Sequence, residues 1–162
     1  MSVSSFSRSA VAPVLAIVLA TALAACSMGG GGGSTSIALA SGLSARMDQP
    51  NTSLDRAQAI GLVNAYRATA GLPALASDSG LDGTAQALVN QYASTGIAPK
   101  TPGGVTMKLS AGYVTFAETF SGWRNNPADA AGMTANATKA GVAAAFNADS
   151  SYGVYWVLVL GN

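Results

Sequence analysis

Val154-Tyr155-Trp156-Val157-Leu158-Val159-Leu160-Gly161 closes the chain as a nearly unbroken apolar run. Its β-branched and aromatic content reads as a strand. Polar and apolar residues do not alternate in it, so both faces have to be covered by other elements. Just upstream, Ala140 to Asn147 does alternate, with Val142, Ala144 and Phe146 on one side. The segment between the two, Ala148-Asp149-Ser150-Ser151-Tyr152-Gly153, is built of turn formers. The pair is therefore expected to form a C-terminal hairpin, and whatever covers its last strand must come from earlier in the chain.

Two helical patterns can supply that cover. The first is expected over Ser53 to Ala70, where Ala57, Ile60, Val63 and Tyr66 recur at three-residue steps. Thr52 and Asp55 have capping-box spacing at its start, and Gly71 followed by Pro73 stops it. The second is expected over Ser79 to Thr95, with Leu81, Ala85, Leu88 and Tyr92 on one face and Gly96 after it. Asn126-Pro127-Ala128-Asp129 starts a short third helix, reaching about Ala135, with an N-cap, a proline at N1 and an acid in the first turn. Gly112 to Ser121, rich in aromatic and β-branched residues, reads as a further strand. Helices come early and strands late. The expected class is α+β, a three-layer α-β-α sandwich around a small, mainly antiparallel sheet.

Several segments, in order, resemble the bacterial branch of the CAP superfamily, whose SCP domain is shared by cysteine-rich secretory proteins, antigen 5 and plant pathogenesis-related proteins. Leu62-Val63-Asn64-Ala65-Tyr66-Arg67, then Gly71-Leu72-Pro73-Ala74-Leu75, Asp78, Leu81 and Ala85-Gln86, are similar to the family's opening. Ala111-Gly112-Tyr113 leading to Ala117-Glu118-Thr119-Phe120 resembles its Gly-Glu-Asn-Ile strand. Gly141-Val142-Ala143 and Tyr155-Trp156-Val157-Leu158-Val159-Leu160-Gly161 resemble its closing hairpin. The likeness covers most of residues 55–161.

That resemblance implies an α-β-α sandwich in a secreted or surface-attached protein. It also implies a cavity of two histidines and two glutamates, metal-binding in some members. This chain has no histidine. By position, Glu118 matches one cavity glutamate. The segment that carries the first histidine falls near Thr95 to Pro99. The helix that carries the second pair falls near Asn126 to Ala137, where only Asp129 is acidic. A zinc site built on imidazole is excluded, and no cofactor is expected.

Ahead of all this lies an export signal. Arg8 precedes Ala10 to Ala25, a small apolar run shorter than the roughly 20 residues of a spanning helix. Leu23-Ala24-Ala25-Cys26 has the layout of a bacterial lipoprotein signal, and Cys26 is the only cysteine. Residues 1–25 are expected to be cut away, with acyl chains on Cys26 holding the protein to a membrane. Residues 26–52, with glycines from Gly29 to Gly33, read as a flexible tether of about 25–30 Å reach. Residues 53–162 form the domain. Ser27 in place of an aspartate is consistent with outer-membrane sorting, the protein facing the periplasm or the surface.

With Lys+Arg at 8 and Asp+Glu at 7, the net charge is +1 and no basic stripe exists, so no nucleic-acid partner is expected. Without histidine, and with Cys26 acylated, neither a Ser-His-Asp nor a Cys-His arrangement can form. A Ser-Lys dyad would have to use Lys100, Lys108 or Lys139, none of which sits in a nucleophile motif. Asp55, Asp78, Asp82 and Asp129 are placed as helix-start acids, Asp48 in the tether and Asp149 in a turn. Only Glu118 is left as a candidate cavity residue, its structural alternative being a solvated strand residue or one in an ion pair with Arg67 or Arg124. The reading that follows is a non-catalytic binding module for a lipid, glycan or protein ligand. A cell-envelope hydrolase using Glu118 is the alternative.

Overall fold

A computed structural model describes residues 40–162. After a single 3-10 turn at Ser41–Leu43, the elements run α1 (Arg56–Thr69), β1 (Ala76–Ser77), α2 (Ser79–Thr95), β2 (Thr106–Ala111), α3 (Phe116–Asn125), α4 (Pro127–Met133), β3 (Lys139–Phe146) and β4 (Val154–Gly161). The sheet order is β1-β3-β4-β2. β4 pairs antiparallel with β3 and β2, and the two-residue β1 adds a short parallel pair. This is the expected α+β sandwich.

Period two along β4 sorts the core. Tyr155, Val157 and Val159 face α2, where Ala85, Val89 and Ala93 meet them together with Ala143 of β3. Val154, Trp156, Leu158 and Leu160 face the other way. There they meet Ile60 and Val63 of α1, Phe116, Phe120 and Trp123 of α3, and Met133 of α4. Every residue of β4 is buried, as its unbroken apolar run demands.

Helix ends follow local chemistry. Asp55, rather than a Thr52–Asp55 box, caps α1 by accepting from Gln58 N at 2.9 Å. Gly71 takes the left-handed conformation just past it at φ 70°. Asp78, one residue before the expected cap, receives Leu81 N at 2.9 Å and starts α2. Asn126 caps α4 as expected.

Two expectations are corrected. Gly112 to Ser121 is not a strand: β2 stops at Ala111 and α3 begins at Phe116. Thr115 and Glu118 form a reciprocal capping box. Phe116, Thr119, Phe120 and Trp123 are the buried residues of that helix and recur at helical spacing. Nor does a free tether run to Thr52. Leu43 and Met47 are buried against the core, Met47 N donates to Val114 O at 2.9 Å, and Gly42 N donates to Gln58 Oε1 at 3.0 Å. Their apolar side chains draw this segment onto the domain.

Candidate functional site

Glu118 sits at the third position of α3 and is exposed. Its Oε2 accepts from Val114 N at 3.1 Å, from Thr115 N at 3.0 Å and from Thr115 Oγ1 at 3.0 Å. In return Thr115 Oγ1 accepts Glu118 N at 3.2 Å. These bonds, the Thr115 backbone first, hold the carboxyl below the usual glutamate range, with a smaller push from the Arg46 charge. Neither Arg67 nor Arg124 is its partner. A carboxylate held charged in this way is a poor general acid at neutral pH.

Arg67 is buried and serves the fold. Its guanidinium donates to Pro73 O at 3.1 Å, Met133 O at 2.9 Å, Ala135 O at 2.9 Å and Ala137 O at 3.4 Å. It ties the end of α1 to the turn between α4 and β3. The sequence marks Arg67 only within a family-like segment and as a partner for Glu118; this role was not legible, because its partners are backbone carbonyls brought together only by folding.

Of the three candidate lysines, Lys108 and Lys139 are engaged and Lys100 is exposed. Lys108 of β2 donates to Asp129 Oδ1 at 3.0 Å and to Ala128 O at 3.2 Å. Its stem lies over Gly132, where a Cβ would come within 2.4 Å of Lys108 Cε. Lys139 lies 3.8 Å from Asp78. No lysine ammonium among the described residues is hydrogen-bonded to a serine hydroxyl, and no group of three potential metal ligands occurs among them. Trp123 and Trp156 are buried, their indole N–H groups donating to Leu109 O at 2.9 Å and Tyr113 O at 2.8 Å. Cys26 lies outside the described residues.

Concave surfaces lie elsewhere, the roomiest of them, about 400 Å³, between Ala93–Gly96 and the loop from Asn147 to Tyr152. Two adjoining clefts of about 230 and 200 Å³ share Met47, Thr52 and Ala144. One extends over Gln49, Asn51 and Phe146, the other over Leu54, Arg56 and Gln86. Glu118 lines neither. One wall is the segment assigned to the tether, so the sequence reading missed the clefts. The usable signal was Leu43 and Met47, two large apolar residues following a Gly/Ser-rich stretch.

The profile of CAP, the cysteine-rich secretory protein family, matches residues 60–160. Among solved structures the chain is similar to an outer surface protein from Borrelia burgdorferi, with a TM-score of 0.55 and 15% identity over 64% of this chain and 88% of that one. That likeness is one of fold. No curated protein matches the chain.

Proposed function

Because this chain belongs to the CAP family, we propose that it is a non-catalytic binding module of that family, displayed on the cell envelope through lipid on Cys26. One observation carries the non-catalytic part. The single glutamate that the family pattern places in the cavity has one oxygen committed to three hydrogen bonds at a helix start. The chain also lacks the histidines with which that glutamate works in family members whose cavity is complete. The alternative hydrolase would need a second ionisable group near Glu118. Arg46, the charged group that acts on it, is a cation rather than a proton donor suited to neutral pH.

The envelope part is supported by the leader pattern ending at Cys26 and is in keeping with a fold shared with an outer surface protein. Lipid, glycan and protein ligands all suit a displayed module.

Two experiments test this reading. The chain is assayed on wall-polymer and ester substrates beside Glu118→Ala. No turnover by either is expected, and turnover that disappears in the variant establishes the hydrolase. Mass spectrometry of the N-terminal peptide of the membrane fraction is expected to find Cys26 first and acylated. The Cys26→Ser variant is expected to leave the acylated fraction, since without lipid the tether has no anchor. Recovery of the native chain with Met1 to Ala25 still attached would refute the anchoring.

A further inference from the structure

We propose that the outer edge of β3 from Ala144 to Phe146 is a strand-addition site for an extended polypeptide segment of a partner protein. The proposal rests on the binding-module reading and names its site. β3 lies between β4 and β1, but β1 covers only Lys139 and Ala140. Alternate residues of a strand direct N–H and C=O to opposite sides. The register against β4 sets the phase. Asn147 N donates to Gly153 O, so odd-numbered positions bond β4 and even-numbered ones face outward.

The outward groups can be followed one by one. Ala140 O receives Asp78 N at 3.0 Å, at the end of β1. At Val142, two side chains stand in for the missing strand. Asp82 Oδ1 accepts Val142 N at 3.0 Å, and Arg56 Nε donates to Val142 O at 2.9 Å. Beyond that point the substitution stops. The outward N–H and C=O of Ala144 and Phe146 meet no donor or acceptor among the described residues. They border the two clefts, whose other wall is the loop from Met47 to Leu54.

The occupant follows from that shape and its charge. A row of unpaired backbone groups at strand spacing recognises another extended backbone. A slot with a wall on its far side admits a single chain. The edge of a second copy's sheet would bring that sheet's covering helices against the loop. Apolar side chains of the guest meet Met47 and the exposed ring of Phe146. Arg56 is the one charged residue lining the clefts, and its Nη2 is already bonded to Gln86 Oε1 at 3.1 Å. Asp82 approaches Arg56 only at 3.8 Å. The fitting segment is therefore extended and β-branched, with an acidic residue at the Arg56 end.

The probe is the peptide acetyl-Asp-Val-Thr-Val-Thr-Val-amide, titrated into the full chain and followed by amide hydrogen exchange. The control is the same peptide with alternate amides N-methylated. Protection of the Ala144 and Phe146 amides by about tenfold or more at a peptide concentration of about 1 mM supports the proposal when the methylated control gives none. The Ala144→Pro variant removes an outward N–H that β4 does not use, a place where a strand tolerates proline. It is expected to keep the melting transition and lose peptide binding about tenfold, and Arg56→Gln to weaken it less. Equal protection by both peptides overturns the proposal, as does no protection. Undiminished binding by a folded Ala144→Pro chain overturns it too. If that variant does not fold, the methylated-peptide comparison on the native chain still decides. Protection without peptide, rising with protein concentration, assigns the edge to a second copy, and concentration-independent protection assigns it to the chain's own residues. Either result overturns the partner reading. Turnover abolished by Glu118→Ala defeats the non-catalytic reading alone, so the two failures are separable.

Discussion

Glu118 is kept ionised by the start of the helix to which it belongs, and the consequence for stability has a definite sign. Its carboxyl titrates below the ordinary glutamate value in the folded chain. In the window between the two values the unfolded chain binds more protons, so stability rises with pH there. The contribution is complete above the ordinary value and is lost as pH falls through the folded one. Because the group is exposed and screened, it amounts to about 0.5 kcal/mol. Glu118→Gln is expected to flatten that part of the acid limb in urea titrations run at successive pH values. An unchanged acid limb would mean that the capping box does not persist in solution. Thr115→Ala, which removes the other half of the box, is expected to cost about 1 kcal/mol. Arg67 is a larger matter. Arg67→Met leaves four carbonyls at the α1–α4 junction without a donor, and a loss of about 3 kcal/mol is expected by equilibrium unfolding. The sequence pairing of Arg67 with Glu118 failed because charge alone was used to choose a partner, whereas the fold supplies oriented carbonyls.

Among the elements, α2 and the closing hairpin were legible and α3 was not. Ser79 to Thr95 has one clear period and a glycine stop. Residues 112–121 offered two signals in conflict. β-branched and aromatic content argued for a strand, while Thr115 with Glu118, and Phe116, Phe120 and Trp123 at helical steps, argued for a helix. Position won over content, because a helix places those three rings on one face against Trp156 and Leu158. The open edge of β3 could not be read at all, since it depends on how short β1 turns out to be. Gly141 makes the helix–strand contact testable. A Cβ there would lie 2.2 Å from both Asp82 N and the Leu81 carbonyl carbon, both of them backbone atoms at the start of α2. Gly141→Ala is therefore expected to cost about 3 kcal/mol, because helix and strand must separate to admit the methyl group. Gly83→Ala, on the same helix with nothing within 4 Å, is the control and is expected to be neutral or stabilising. Equal melting temperatures for the two variants would show that α2 does not sit directly on β3.

For the molecule as a whole, the decisive boundary is where the domain begins. Composition placed it at Ser53, since a Gly/Ser-rich stretch precedes it and the first helical period follows. Physically the boundary lies before Ser41. Leu43 and Met47 are 6% and 5% exposed, and each contributes about 1.5–3 kcal/mol of burial. The same segment holds the loop that walls the β3 clefts, so the stability of the sandwich and the shape of those clefts depend on one stretch of chain. A chain starting at Ser53 loses both side chains, along with the Met47–Val114 and Gly42–Gln58 hydrogen bonds. It also uncovers part of the face formed by Ala59, Ile60 and Phe116. Compared with a chain starting at Ala40, it is expected to melt roughly 10 °C lower, at about 3 kcal/mol of lost stability. Leu43→Ala in the full chain is expected to reproduce most of that loss, about 2–3 kcal/mol, because the 3-10 turn that carries it packs on α1 and the truncation leaves a cavity there. Differential scanning calorimetry of the three proteins decides the matter. Coincident transitions would return residues 41–52 to the tether and leave the clefts without one of their walls.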